Sequence, residues 1–487
     1  MVDIEWFMAE CLLVSGFFIL LLTKGMGYTS VKFYHRSAIF LYIISIFSIG
    51  YTYSLYDIPV VFDGLLLIDL LGLGVKTCVL LLGLMVVCFV PHYIQGFSLP
   101  PLETYFLLAM HTVGMLVTIS AISWISLFVG FELMYLPLYA MIGLPKNNRF
   151  AQESACKYIL LGAFSSGLML YGISFIYACT GDLSFDGWLM LLSSIATIWS
   201  NPGMRATQTT LFTFLGSTLV FVALCFKVGV VPFHFWVRDV YEGSLNYVTA
   251  LIAGASKLVL LVVWYRIFID AGEALLPILR QFTIVIGLTS LYGGHFLALS
   301  QERINTVFAY SSFGHMGFVL LALALARSDL YISALCYTMV YALTVSGIFL
   351  WIGSISVNNR PLVLVEDLRG LALRDPKAAC FLAVACFSLL GLPPLAGFMM
   401  KVSILRELIM HYTIFLTIAA IIPTMIAAYY YIAIISAMYF YLPDETSTVI
   451  VSQSWLQEYC FVMITVVIII LGLFPSFLWS PVVAFFG

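Results

Sequence analysis

Four lysines and one glutamate stand inside stretches that otherwise carry almost no charge. They are Lys227 in "LCFKVGVVPFHFW", Lys257 in "AGASKLVLLVVW", Lys401 at the end of "LLGLPPLAGFMMK", Lys157 in "SACKYILLGAF" and Glu132 in "LFVGFELMYLP". A charge at the centre of a bilayer costs about 2.5–3.5 kcal/mol on insertion scales, so each must be paired, hydrated or neutral. Lysine suits the last option, because a desolvated ammonium gives up its proton where a guanidinium does not. Arginine is missing from these central positions, which favours proton handling over a purely structural ion pair. Pro232 follows Lys227 by five residues and frees backbone carbonyls, leaving room for water. Lys401 follows a second proline-bearing run, and Lys257 lies among small residues that admit a neighbouring helix or water. Lys157 is near the start of its run and can snorkel to the surface. His315, in "AYSSFGHMGFVLL", has hydroxyl neighbours and titrates in a range suited to relay; hydrogen-bonded packing competes with that reading. Lys76 is expected to pair with Asp69, seven residues earlier, and His111 and His295 read as packing residues. No second His or Cys stands at ligand spacing from His234, so a metal site is not expected.

These groups need elements to hold them, and the composition says which. The chain of 487 residues is 63% hydrophobic and 9% charged, against about one-quarter charged in soluble domains. Its surface must therefore be apolar. The net charge of −3 gives no reason to expect a nucleic-acid partner. The ten cysteines are scattered without a C-x-x-C pair, which argues against a disulfide or metal framework. Unbroken apolar runs predict an all-α polytopic membrane protein with about fourteen spans of roughly 20 residues each. They lie near 6–23, 37–56, 64–90, 102–121, 122–143, 153–179, 209–233, 244–270, 274–298, 303–326, 330–356, 376–410, 412–441 and 457–484. Two longer loops remain, 180–208 and 357–375. The start, "MVDIEWFMAE", lacks the basic flank and cleavage site of a signal peptide, so the first run is expected to stay as a span. Lys24, Lys32, Arg36, Lys146, Arg149, Arg238, Arg303, Arg360, Arg369, Arg374 and Lys377 fall in loops on one side. Arg205, Arg266, Arg280 and Arg327 fall on the other. The first side is therefore the matrix or cytoplasm, with both termini opposite.

An internal repeat is visible. "SACKYILLGAF" recurs as "SALCYTMVYAL" and "CFKVGVVPF" as "CFSLLGLPP", matching Pro232 to Pro393. Two inverted-topology repeats are expected, 101–270 and 271–441, each with one proline-broken helix. They are flanked by N-terminal spans in 1–100 and a last span in 442–487. Paired broken helices point to an ion or substrate site near the midplane.

The stretches "FELMYLPLYAMIG", "ESACKYILLGAFSSGLMLYGISFIYACTGDLSF", "FKVGVVPFHFWVRDVYEGS", "ALSQERINTVFAYSSFGHMGF" and "LLGLPPLAGFMMK" resemble the antiporter-like membrane subunits of respiratory complex I. The similarity runs over roughly residues 100 to 440. A lysine at 401, where the subunit 4 branch typically has glutamate, places the likeness with the subunit 2 branch, called subunit N in bacteria.

The resemblance implies a proton-translocating part of NADH:ubiquinone oxidoreductase. Glu132 would pair with Lys227, Lys257 would link two half-channels, and Lys401 would end the second. Lys157 and His315 would fall at further positions on the polar axis. It also implies no cofactor in this chain, with NADH, FMN, iron–sulfur clusters and ubiquinone held by other subunits. Its neighbours would be subunits 4 and 4L, with lipids such as cardiolipin around them. The expected location is the mitochondrial inner membrane, with both termini on the intermembrane-space side, or alternatively a bacterial plasma membrane. A cation/proton antiporter subunit of the Mrp type, without redox partners, is the rival reading. One departure stands out. The family reads W-x-P-D-x-Y-x-G-[AS]-P-x-P-V after the first broken helix, and here Arg238, Leu245 and Tyr247 replace the prolines. That puts the start of the next helix in question.

Overall fold

The computed structural model describes residues 5–25, 27, 30–55, 60–200, 208–269, 276–325, 327–357, 360–411, 414–443, 449–451 and 454–484. The expectation for Arg205 lies outside them.

The fold is all-helical apart from short strands. Two helices open it, α1 (Met8–Gly25) and α2 (Val31–Tyr53), followed by a hairpin of β1 (Val60–Val61) and β2 (Leu66–Leu67). Then come α3 (Leu70–Phe97), α4 (Pro101–Ser120), α5 (Trp124–Gly143), α6 (Arg149–Thr180), α7 (Phe185–Ser200), α8 (Gln208–Val228) and α9 (Phe235–Gly243). The long helix α10 (Asn246–Phe268) contains a π-turn at Leu251–Ala255, and a second π-turn begins at Tyr265. The second half holds α11 (Leu276–Leu299), α12 (Ile304–Leu323), α13 (Ser328–Gly353), β3 (Ile355–Val357), β4 (Arg360–Pro361) and α14 (Leu371–Arg374). It continues with α15 (Pro376–Leu390), α16 (Ala396–His411), α17 (Ile414–Phe440), β5 (Val449–Val451), α18 (Trp455–Leu473) and α19 (Ser476–Ala484).

Among the described residues thirteen helices are long and apolar enough to cross a membrane. The short pair α15 and α16, joined through Gly391, supplies one further crossing. The polytopic reading therefore holds, with two changes of detail. The first broken crossing was expected to run to 233. Its helix α8 stops at Val228, and α9 completes it, so the break lies well past its middle. The loop expected at 180–208 contains α7. Phe185, Trp188 and Leu192 recur at helical spacing and are buried. The Trp188 indole donates to Ser217 Oγ at 3.2 Å and meets Trp124 edge-on.

Loop pairings agree with alternating crossings. Lys24 meets Glu103, Arg303 meets Glu242 and Lys377 meets Glu458 at 2.5 Å, each pair drawn from loops expected on the basic side. The three-stranded sheet on that side has the order β4-β3-β5, antiparallel throughout. On the other side Asp69 meets Arg266 at 2.6 Å, and Leu66 bridges to Ala121. The core centres on α10, α12 and α13, which are buried along nearly their whole length.

The replaced prolines do not disturb the start of α10. Leu245, its N-cap, holds φ −66°, the angle that proline would impose. Its carbonyl accepts from Val248 N and Thr249 N. Tyr247 is fully buried against Tyr93, and Arg238 is exposed on α9.

Candidate functional site

The two breaks share a backbone pattern. Gly229 (φ +77°) and Gly391 (φ +86°) each end a helix in the left-handed region, which favours glycine. The Gly229 amide reaches back to Cys225 and Phe226, and that of Gly391 to Phe387 and Ser388. Counted from these glycines, Pro232 corresponds to Pro394, not to Pro393 as the sequence match had it. The freed polar groups find different partners. In the first break Trp236 Nε1 donates to Phe226 O at 3.0 Å, and Val231 N donates to Ser290 Oγ at 2.9 Å. In the second, Lys401 Nζ donates to Leu389 O at 2.8 Å and Leu390 O at 3.0 Å. Lys227 thus hangs from the half-helix before its break, and Lys401 from the half-helix after.

Glycines bring the first group together. Gly172 on α6 and Gly216 on α8 face each other so closely that a Cβ at either would meet the partner's carbonyl. Ser165 Oγ donates to Ala223 O at 3.1 Å, fixing α6 against α8 one turn before Lys227. The next residue, Ser166, donates to Glu132 Oε1 at 2.6 Å and accepts from Lys227 Nζ at 3.5 Å. Glu132 and Lys227 do meet, but through a hydroxyl; they make no direct ion pair within 4.0 Å. The Lys227 ammonium also sits 4.1 Å from the Tyr135 ring centroid and 4.9 Å from that of Phe131, within reach of cation–π attraction.

The second group gathers Lys257, His315 and Lys401 around tyrosines of α13. Lys257 Nζ is buried without a hydrogen-bond partner, 5.9 Å from the Tyr341 ring centroid. It follows the π-turn, a feature frequent at functional sites. There Ser346 Oγ donates to Ala250 O at 2.9 Å, and Gly254 lets α13 approach. His315 contacts Tyr337 Oη at 2.6 Å through Nδ1 and Tyr431 Oη at 3.0 Å through Nε2. His295, expected as packing, contacts Tyr430 Oη at 2.9 Å and lies edge-on to His315. A cavity of about 10 Å³ opens between Tyr337, Tyr341, Thr344, Ser388 and Lys401, room for a single water. It lies between Lys401, Tyr337, which contacts His315, and Tyr341, the ring that Lys257 faces from 5.9 Å.

Two expectations move. Lys157 does not join either group. Its half-exposed side chain pairs with Glu153 at 2.8 Å and Asp239 at 2.7 Å. Lys76 pairs with Glu10 at 2.7 Å, not with Asp69, which is held by Arg266. Glu10 is sixty-six residues away on α1, so sequence spacing gave no sign of it. His111 contacts Met134 O at 2.7 Å, as a packing residue does. Ser166, Tyr337, Tyr341 and Tyr431 were missed, because serines and tyrosines are too common in apolar helices to stand out. Among the described residues no cluster of three or more His, Cys, Asp or Glu could hold a metal.

The family described as NADH:quinone oxidoreductase/Mrp antiporter, TM matches residues 121–427, from just before α5 to the middle of α17. The chain belongs to that family. The match encloses both breaks and every residue of the two groups except Tyr430 and Tyr431. NADH-quinone oxidoreductase subunit N of Hydrogenovibrio crunogenus is 32% identical over 415 residues, covering 85% of this chain and 84% of its own. Subunit N of Coxiella burnetii is 29% identical over 476 residues, or 97% and 95%. A chain of respiratory complex I from Thermus thermophilus superposes with a TM-score of 0.80 at 25% identity, over 97% of this chain and 98% of that one. The family joins redox-linked and antiporter members on one fold, so the fold alone does not separate them.

Proposed function

We propose that this chain is a core membrane-arm subunit of proton-translocating NADH:quinone oxidoreductase, of the subunit N type. It would move protons through buried Glu and Lys while the redox chemistry proceeds in other subunits. The observation that carries the reading is the chain from the buried Lys227 through the buried Ser166 to the half-buried Glu132 beside the first break. An ammonium and a carboxylate connected in this way can hold or pass a proton according to small changes in separation. Full-length similarity to subunit N relatives supports the redox-linked reading over the Mrp-type antiporter.

The proposed route uses Glu132 and Lys227 as the first site, Lys257 as the link, and Lys401 as the last site, with His315 relaying between tyrosines. Lys157 would act at the surface with Asp239, away from the central chain. Residues 101–270 and 271–441 would be two repeats of inverted topology, and the matching glycine-ended breaks support this. NADH, FMN, iron–sulfur clusters and ubiquinone would belong to other subunits. Subunits 4 and 4L would be the neighbours, and anionic lipid such as cardiolipin would fill the surface grooves. The location would be the membrane carrying the respiratory chain, in a mitochondrion or a bacterium, with both termini on its outer side. The bacterial source of the relatives supports the plasma membrane.

The test is Lys227→Met in the intact complex, reconstituted in sealed vesicles with NADH and quinone. Assembly should persist while protons moved per electron fall. A normal ratio would sink the proposal. Purification discriminates the rival: flavin and iron–sulfur absorption should accompany the chain, and a complex lacking both would be an antiporter.

A further inference from the structure

Serines in membrane helices usually return their hydroxyl hydrogen to a carbonyl three or four residues earlier. Many in this chain do so, among them Ser45 to Leu41, Ser217 to Thr213 and Ser312 to Ala309. Ser166 does not. Its hydrogen goes to the Glu132 carboxylate at 2.6 Å, and its oxygen receives the Lys227 ammonium at 3.5 Å. All three groups come from different helices, α5, α6 and α8. The shorter contact is in the range of a charge-assisted O–H···O⁻ bond. The neighbouring Ser165 is spent on Ala223 O, so the helix face that presents Ser166 is held against the end of α8.

We propose that Ser166 is the bridging hydroxyl of the Glu132–Lys227 site, through which the pair passes between its charged and neutral forms. In the charged form Lys227 donates to Ser166 and Ser166 donates to Glu132. In the step itself an N–H bond of Lys227 breaks as an O–H bond forms on Ser166. The original Ser166 O–H bond breaks as one forms on Glu132. One proton has then moved from ammonium to carboxylate, leaving a neutral amine and a neutral acid, with Ser166 regenerated as a hydroxyl. The exchange requires the Lys227 side chain to close from 3.5 Å on Ser166 Oγ to ordinary hydrogen-bond distance. The rings of Tyr135 and Phe131 steady the ammonium where the carboxylate does not touch it.

This inference rests on the proposed proton-translocating function. The experiment uses the whole complex in sealed vesicles and reads protons moved per electron. Ser166→Ala is expected to lower proton translocation about tenfold, the worth of one charge-assisted hydrogen bond. Ser166→Thr, which keeps the hydroxyl, should restore most of it. In a Glu132→Gln background, Ser166→Ala should add no further loss, because the bridge then has no carboxylate to serve. Should the alanine variant fail to assemble, Ser166→Cys keeps the volume with a weak donor and carries the same expectation. The proposal is overturned by native translocation in Ser166→Ala or Ser166→Cys, by a Ser166→Thr variant as defective as alanine, or by additive losses with Glu132→Gln. Normal translocation in Lys227→Met would strike the proposed function. Normal translocation confined to the Ser166 variants would strike the bridge alone.

Discussion

The ammonium of Lys401 reaches back across the break in its own crossing to the carbonyls of Leu389 and Leu390, at 2.8 and 3.0 Å. One side chain therefore both closes the end of α15 and lines the small cavity beside Tyr337 and Tyr341. These two duties can be separated. Lys401→Gln keeps an N–H donor but has no proton to release. It should assemble with near-native thermal stability and lose proton translocation. Lys401→Met should lose both, with a stability deficit of about 1–3 kcal/mol from the unpaired carbonyls. Thermal inactivation of the complex and proton-to-electron ratios in vesicles measure the two effects.

Lys257 is the opposite case, a side-chain nitrogen with no hydrogen-bond partner inside a fully buried helix. An unpartnered buried amine costs stability whether or not it carries its proton. Lys257→Met should therefore leave the resistance of the complex to heat or detergent unchanged or raised. Proton translocation should fall about tenfold or more, because the titratable link is gone. A loss of stability together with function would show that Lys257 is held by a partner.

The Glu10–Lys76 pair lies outside both central groups and is almost wholly buried. Glu10→Gln should destabilise the N-terminal helices by about 3–5 kcal/mol, because it strands the Lys76 charge. Turnover per assembled complex should stay native. Changing both residues to leucine should recover most of the lost stability. Asp69→Ala should not mimic Glu10→Gln, since Asp69 serves Arg266. Assembly yield and proteolysis of the first three helices report on each variant.

Gly254 sits where α10 meets α13, and a Cβ there would press on Ser346 and on Ala342 O. Gly254→Ala should cost about 1–3 kcal/mol through overpacking and should displace the π-turn that precedes Lys257. Adding Ser346→Gly should recover part of the loss by making space. If Gly254→Ala translocates protons as the native chain does, the tight approach has no role in placing Lys257.

What the sequence could reveal follows from how costly each feature is. Glu132, Lys227, Lys257 and Lys401 were legible because a charge in an oily run has to be justified; the structure buries the three lysines and leaves Glu132 half-buried. The breaks were legible because proline cannot continue a helix. Their position was not: α8 ends at Gly229, set by a left-handed backbone, before the proline is reached. Lys157, near the start of its run and able to snorkel, emerges half-exposed beside Asp239; that its partner is Asp239 needed the fold, because the outward face of α6 is invisible without its neighbours. Ser166 is cheap to bury and carried no signal at all. The Glu10–Lys76 pairing needed the three-dimensional fold, since no periodicity connects α1 to α3.

The β3–β5 pairing has a mechanical consequence. It ties the entry of the last crossing, α18, to the exit of α13, and Lys377 at the head of α15 is tied to Glu458 at the head of α18. The basic-side ends of these three crossings are thereby stapled into one frame. The Lys377–Glu458 pair is exposed and holds little by itself; the ring of Phe381 on α15, 4.8 Å from that of Phe461 on α18, is what makes a sliding α15 drag that frame. Any change in length along the α15–α16 crossing must be taken up at Gly391 and the prolines after it, where Lys401 is fastened. The second break then acts as the expansion joint of the bundle, and its rivet is the one group there that can shed a proton.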